Sequence, residues 1–116
     1  MSSGDARADR HALLELDALL AHIESLAKQG DRHRFESDDH YRWVLHRLWI
    51  AVGNEALTYA RSARLDAGVE QPWARLYQLR NRLAHRRLPD IDEDEVWRVT
   101  ALRPAELRAQ VRRLLR

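Results

Sequence analysis

Arg80, Asn81 and His85 lie in one short stretch, and their side chains suit proton transfer and phosphate binding. Histidine exchanges protons near neutral pH, whereas arginine stays charged and holds phosphate oxygens with a planar guanidinium group. RNA carries its own nucleophile, the 2′-hydroxyl group, so its cleavage needs a base, an acid and positive charge at the phosphate. We hypothesise that His85 is the general base or acid, that Arg80 clamps the phosphate, and that Asn81 orients His85 or the phosphate. This chemistry requires no metal ion and no cofactor.

The spacing of these residues restricts how they meet. Arg80 and His85 are five positions apart, which on a helix is a rotation of about 140°, so they do not share a face. Asn81 and His85 are four positions apart and do share one. A site that uses both Arg80 and His85 therefore needs the arginine to reach round its helix, or a second copy of the chain to complete it.

Basic residues crowd this stretch of the chain. Aspartate and glutamate are absent from Gln71 through Pro89, whereas a surface helix normally mixes both signs of charge. Besides Arg80, the candidate RNA-binding residues are Arg82, Arg86 and Arg87, and Arg75 lies a turn or two before them.

Each of these residues also has an explanation that involves no catalysis. Arg80 could pair with a carboxylate on a neighbouring helix, and Glu55 is one candidate. His85 near a helix end could satisfy the last carbonyl groups. Arg86 and Arg87 could be solvated charges at that end. The residue types alone leave these alternatives open.

The motif and its flanks resemble the HEPN superfamily, and within it the HepT-like toxins. The family pattern is an arginine, a polar residue that is often asparagine, a few spacers and a histidine. The resemblance covers roughly residues 11 to 115 and includes three further segments: Pro72-Trp73, the turn Asp90-Ile91-Asp92 that leads to Val96-Trp97, and Ile50-Ala51-Val52-Gly53-Asn54-Glu55-Ala56. In the last of these, Asn54 displaces the acidic residue of the family's Gly-Glu-Ala segment by one position.

The resemblance implies a metal-independent endoribonuclease. HepT-like proteins form homodimers in which Arg and His of two protomers face each other across a cleft, and a minimal nucleotidyltransferase (MNT) is the antitoxin partner. In related toxins this partner attaches AMP to a tyrosine two residues after the histidine. That position is Arg87 here, so we predict that AMP is not attached there.

Composition sets broader limits. With 116 residues the chain is expected to form a single HEPN-like helical domain, residues 1–116, with residues 1–8 disordered. Lys and Arg outnumber Asp and Glu 20 to 18, which is mild support for a polyanionic partner. The absence of cysteine, of a signal peptide and of a long apolar run predicts a soluble intracellular protein without a membrane partner. The family resemblance implies that the compartment is the bacterial cytoplasm.

Apolar residues at helical spacing predict the first two helices. The first runs from about Asp9 to Gly30. The second begins with Ser37 as its N-cap and continues to about Leu65. Gly53, in its middle, is unfavourable for a helix by about 1 kcal/mol, so we predict that another helix approaches closely there.

Two further helical segments follow. The third helix begins at Pro72 and ends near Arg87, and the last begins at Asp92, which forms a predicted capping box with Glu95. Pro104 predicts a kink or break in that last segment. The predicted fold is all-α, an antiparallel bundle of four to five helices that forms a homodimer.

Metal sites are not predicted. One alternating set of acids lacks the glycine and distal glutamate of a calcium loop, and one set of histidines lacks the close spacing of zinc ligands: Asp90, Asp92 and Asp94 in the first case, His33, His40 and His46 in the second.

Three functional hypotheses remain at this stage. The first is a ribonuclease toxin, which requires Arg80 and His85 to be accessible in a basic groove at a dimer interface. The second is a catalytically silent HEPN module that binds a nucleotidyltransferase or a nucleotide. The third is a structural dimerisation domain, in which both residues would be buried and paired within one chain.

Overall fold

The structure is a computed structural model that describes residues 3–116, with side chains from Arg7 onward. Helices account for the regular structure of this part of the chain, and no strand occurs in it, which confirms the predicted all-α bundle. The helices are α1 (Ser3–Gln29), α2 (Arg32–Ser37), α3 (Asp39–Ser62), α4 (Trp73–His85), α5 (Glu93–Leu102) and α6 (Pro104–Leu115), with a 3₁₀ turn at Leu88–Asp90. The described residues thus hold six α-helices, where four to five were predicted.

The first helix begins earlier than its apolar pattern indicates. We predicted disorder in residues 1–8, but α1 begins at Ser3. The small polar residues before Asp9 contribute nothing to the apolar stripe, which is why periodicity did not detect this turn. Met1 and Ser2 lie outside the described residues, so the prediction for them stays a prediction.

The start of the second long helix also differs from the prediction. Asp38, not Ser37, is the N-cap of α3, and its carboxylate accepts a hydrogen bond of 3.1 Å from the backbone N–H of Tyr41. That bond lowers the pKa of Asp38 below its usual value. The preceding polar stretch forms the short helix α2, which Asp31 caps and which buries Phe35. One apolar residue among six explains why the sequence pattern indicated a loop there.

The core lies between α1, α3, α4 and α6, and aromatic residues fill much of it. Trp49 is fully buried and donates a hydrogen bond of 2.9 Å from its indole N–H to the Thr100 hydroxyl. Trp73 packs on the ring of Tyr59 with 4.6 Å between the ring centroids. The first contact joins α3 to α5, and the second fixes the beginning of α4 against the end of α3, so α3 and α4 run antiparallel.

The last segment breaks at Pro104, as predicted, and the break separates α5 from α6. The Asp92 carboxylate caps α5 by accepting from the backbone N–H of Glu95. The Glu95 carboxylate binds Arg82, so the reciprocal half of the predicted capping box is replaced by a contact with α4. Across the described helices, none is long and apolar enough to cross a membrane.

Candidate active site

Helices α3 and α4 approach each other closely at Gly53. A Cβ atom on Gly53 would lie 2.7 Å from the carbonyl oxygen of Leu76 and 2.9 Å from Cγ of Arg80, and closer still to Cβ of Arg80. No real side chain tolerates such distances, so the prediction of a close helix approach at Gly53 is confirmed. The absence of a side chain here lets the aliphatic stem of Arg80 cross the surface of α3.

Two amide oxygens hold the guanidinium group of Arg80. Its Nε donates to Oδ1 of Asn54 at 2.8 Å, and its Nη1 donates to Oδ1 of Asn81 at 2.9 Å. Both acceptors are neutral, so they orient the arginine without cancelling its charge. Asn81 therefore contacts the arginine, whereas the sequence hypothesis placed it against His85 or the phosphate.

No carboxylate of the described residues forms an ion pair with Arg80, and the suggested pairing with Glu55 is wrong. Glu55 lies toward α1 instead. Burial raises its pKa above the usual value, and the nearby carboxylate of Glu15 adds to this effect. Arg80 consequently keeps an uncompensated positive charge at a half-buried position.

Arg80 reaches round its own helix to His85. Nη1 of Arg80 lies 3.3 Å from Nε2 of His85, although the two residues do not share a helix face. A guanidinium group only donates, so Nε2 is the acceptor in this contact and the ring proton resides on Nδ1. His85 is exposed and uses Nε2 for Arg80, not for a helix-end carbonyl. The geometry presents an unprotonated ring nitrogen beside a fixed cation.

These side chains line an open, shallow depression of about 490 Å³. Its lining residues are Tyr77, Arg80, Asn81, Arg82, His85 and Arg86. Tyr77 was not among the predicted site residues, but it precedes Arg80 and Asn81 by three and four positions, and that spacing places it on the same flank of α4.

The three candidate RNA-binding arginines differ in their surroundings. Arg82 turns toward α5, where its Nε donates to Oε1 of Glu95 at 3.1 Å and Nη2 makes a second contact with the same oxygen. Arg86 and Arg87 are exposed and have no carboxylate partner within the described part of the chain. Arg86 and Arg87 thus offer more free charge to a polyanion than Arg82 does.

Asn54 is, besides Tyr77, a site residue that the sequence analysis missed. In the sequence analysis, Asn54 was mentioned only because it displaces the acidic residue of the family's Gly-Glu-Ala segment by one position. Its position next to the glycine where α4 crosses was the available signal, because a residue adjacent to a helix crossing lies at the edge of the contact.

The acids and histidines considered above as possible metal ligands include residues that make contacts between helices. Within residues 3–116 no three His, Asp or Glu side chains are placed so that they could hold a metal ion. His46 is buried and its Nε2 lies 2.7 Å from Oε1 of Glu93. Arg42 contacts the other oxygen of Glu93 at 3.3 Å, which ties α3 to α5.

Under the sequence-based hypothesis that this site cleaves RNA, replacing Asn54 with alanine is expected to lower kcat/KM for that reaction about tenfold. A hydrogen bond to a charged group contributes about 1.5 kcal/mol, and 1.36 kcal/mol corresponds to a factor of ten in rate. The loss should fall mainly on kcat, because a misplaced Arg80 stabilises the transition state less. Thr58→Ala, one turn further along the exposed side of α3, is the control. An equal loss in both variants, or a lowered melting temperature in Asn54→Ala, would contradict a positioning role.

The whole of this site falls within a recognised sequence family. The family model described as "Ribonuclease HepT-like" matches residues 16–114, which include α3, α4 and every residue of the depression. Comparisons with curated proteins and with solved structures give no match.

Proposed function

Because the chain belongs to the HepT-like ribonuclease family, we propose that it is a metal-independent endoribonuclease with Arg80, Asn81 and His85 at its active site. The observation that carries this proposal is the contact between Nη1 of Arg80 and Nε2 of His85 on an open surface. A proton acceptor and a phosphate-binding cation lie side by side there, and the cation is held by amides that leave its charge intact.

The first chemical step follows from this arrangement. An RNA phosphate accepts the N–H of Arg80, which frees the lone pair on Nε2 of His85. The 2′-hydroxyl group transfers its proton to that nitrogen while its oxygen attacks phosphorus. The guanidinium group stabilises the charge that grows on the phosphorane oxygens, as fixed donors do most effectively in partly desolvated sites. Arg86 and Arg87 hold the neighbouring backbone.

The second half of the reaction breaks the bond between phosphorus and the 5′-oxygen. The leaving oxygen must take up a proton, and the products are a 2′,3′-cyclic phosphate and a 5′-hydroxyl group. One chain supplies one histidine at this depression. We assign the proton donor to the corresponding histidine of a second protomer, so that a homodimer forms one shared cleft.

A face of α3 beside the site supports the dimer proposal. Trp43, Ile50, Asn54 and Leu57 recur at intervals of three, four and seven residues, so they lie on one side of the helix. Trp43 is 45% exposed, and Ile50 and Leu57 are half-buried. This face also carries the exposed polar residues Arg47 and Asn54, and its apolar members Trp43, Ile50 and Leu57 are suited to contact with a second copy of the chain.

The same observations rank the alternative functions. A purely structural domain would bury Arg80 and His85, but His85 is exposed and Arg80 has no carboxylate partner in the described residues.

We propose a toxin whose partner is a minimal nucleotidyltransferase antitoxin. Because Arg87 occupies the position of the modified tyrosine, we propose that the antitoxin neutralises it by direct binding. A silent module would share the partner but would leave RNA intact.

Mixing wild-type and His85→Ala chains tests the shared cleft. When equal amounts are unfolded, mixed and refolded together, about a quarter of the dimers carry two intact histidines and about half carry one. If the cleft needs a histidine from each protomer, RNA cleavage should fall to about a quarter of the wild-type rate. A fall to about half, with mixed dimers demonstrated by mass spectrometry, would mean that each protomer works alone.

A further inference from the structure

A second depression lies on the other flank of α4, and Arg82 is the residue that lines both depressions. It is a groove of about 700 Å³ between α4 and the corner where α5 meets α6, and we call it the α4–α5 groove. Its floor is apolar, since Leu76, Leu79 and Leu107 line it with their buried side chains. Leu102 stands at its edge with 69% of its surface exposed, the largest value among the big apolar side chains in residues 7–116.

The rim of the groove is strongly basic. Four arginines line it, Arg75, Arg82, Arg98 and Arg103, against one carboxylate, Glu95. Glu95 already binds Arg82, and Arg103 contacts Glu106 at 3.6 Å. Arg75 and Arg98 are exposed and lack a carboxylate partner in the described residues. The groove therefore combines a buried apolar floor with free positive charge on both walls.

This combination distinguishes between possible occupants. No aromatic side chain lines the groove, whereas proteins that bind single-stranded RNA commonly stack bases on aromatic rings. A symmetric contact between two copies of the same face would bring the arginines of both copies together, which is repulsive. An apolar floor with a basic rim instead complements a segment that has apolar residues on one side and carboxylates on the other.

We propose that the α4–α5 groove is a docking site for an acidic amphipathic segment of a different protein. Apolar side chains of that segment cover Leu102 and the leucine floor, and its carboxylates pair with Arg75 and Arg98. From Pro72 to Arg82, α4 rises about 15 Å, which matches about three turns of a bound helix. The segment binds outside the catalytic depression, so this proposal does not depend on the ribonuclease proposal.

Selection from a displayed library of random peptides tests this directly. Peptides of about 16 residues, enough for four helical turns, are selected on the full chain and counter-selected on Leu102→Glu. We expect the enriched peptides to be acidic, with apolar residues at spacings of three, four and seven. Their affinity should fall at least about tenfold on Leu102→Glu and on Arg98→Glu, because each change places a carboxylate where the peptide needs an apolar contact or a cation. Leu114→Glu and Arg113→Glu, which alter an exposed leucine and arginine near the end of α6, are the matched controls and should bind as the wild type does.

Four results would overturn the proposal. Enrichment of basic or uncharged peptides, or of none, would remove the acidic segment as the occupant. Equal weakening in the control variants would place binding elsewhere. Displacement of the peptides by a single-stranded RNA whose own binding is lost in Arg98→Glu would make the groove an RNA surface. A drop in the mass of the wild-type assembly caused by Leu102→Glu, measured by light scattering, would make the occupant a second copy.

Discussion

Replacing His85 with alanine is expected to lower RNA cleavage by about 10²- to 10⁴-fold, the usual contribution of a positioned general acid or base. The measurement uses pure protein and single-stranded RNA in the presence of EDTA. Because His85 is exposed and accepts one hydrogen bond, from Arg80, its loss should leave the helical circular dichroism unchanged. His40→Ala, which removes another exposed histidine, should cleave as the wild type does.

Arg80→Ala is expected to be as inactive, and Arg80→Lys should not restore activity. The bonds to Asn54 and Asn81 use two different nitrogens of the guanidinium group, 2.8 and 2.9 Å from their acceptors. A lysine has one nitrogen atom and cannot hold both amides while it faces His85 and a phosphate. Recovery with lysine would indicate that a positive charge alone is sufficient and that the hydrogen bonds to Asn54 and Asn81 have no catalytic importance.

The outcomes of this experiment separate the functional hypotheses. Cleavage by the wild type with loss in both alanine variants supports the ribonuclease. Equal cleavage by all variants would mean that the activity lies elsewhere or is a contaminant. Equal inactivity of all proteins on varied RNA substrates, together with binding of a nucleotidyltransferase, would favour the silent module.

Gly53→Ala is expected to destabilise the fold and to lower activity. The added Cβ would meet the backbone oxygen of Leu76 at 2.7 Å and the stem of Arg80, and neither neighbour is a flexible side-chain end. Overpacking of this kind costs up to about 3 kcal/mol, while alanine gains about 1 kcal/mol in helix propensity, so the net loss is up to about 2 kcal/mol. Thermal unfolding should therefore show a melting temperature lowered by about 4–8 °C for each kcal/mol lost.

The decisive observation is whether Gly53→Ala lowers or raises the melting temperature. Thr58→Ala, at an exposed position of the same helix, reports the propensity gain without a clash and should be neutral or stabilising. Since α4 must move away to admit the Cβ, Arg80 moves with it, and RNA cleavage should fall even well below the melting temperature. A stabilised Gly53→Ala protein with full activity would show that α3 and α4 do not approach as closely as described.

The apolar periodicity of the sequence determined much of the fold. Repeats at three and four residues identified the long helices, and Pro104 and Asp92 marked a break and a cap where the structure has them. The predicted loop after Gly30 was wrong, because that stretch is mostly polar and shows no apolar repeat although it forms helix α2. Helix α2 buries one residue, Phe35, and its capping bonds from Asp31 depend on backbone geometry that composition does not reveal.

The family was also accessible from the sequence, and the candidate residues Arg80, Asn81 and His85 lie together in the structure. The Arg-x4-His motif with its flanking segments identified a HepT-like chain, and the matching family model covers residues 16–114. The motif's chemistry followed from the side chains, because the protonation behaviour of histidine and the permanent charge of arginine are intrinsic properties. The close helix approach at Gly53 was predicted because a glycine inside a helix lowers its stability, and close packing against another helix explains its presence.

The partners of each site residue were decided by the tertiary structure. Helical angles separate Arg80 from His85, yet the flexible arginine closes the gap within one chain, because α3 offers no side chain at Gly53 and an amide oxygen at Asn54. Glu95, 13 positions after Arg82, binds the guanidinium group of Arg82 and turns it toward α5, although Arg82 still lines the depression. The sequence specifies which groups are present, but contacts between helices depend on crossing distance and side-chain reach, which local patterns do not contain.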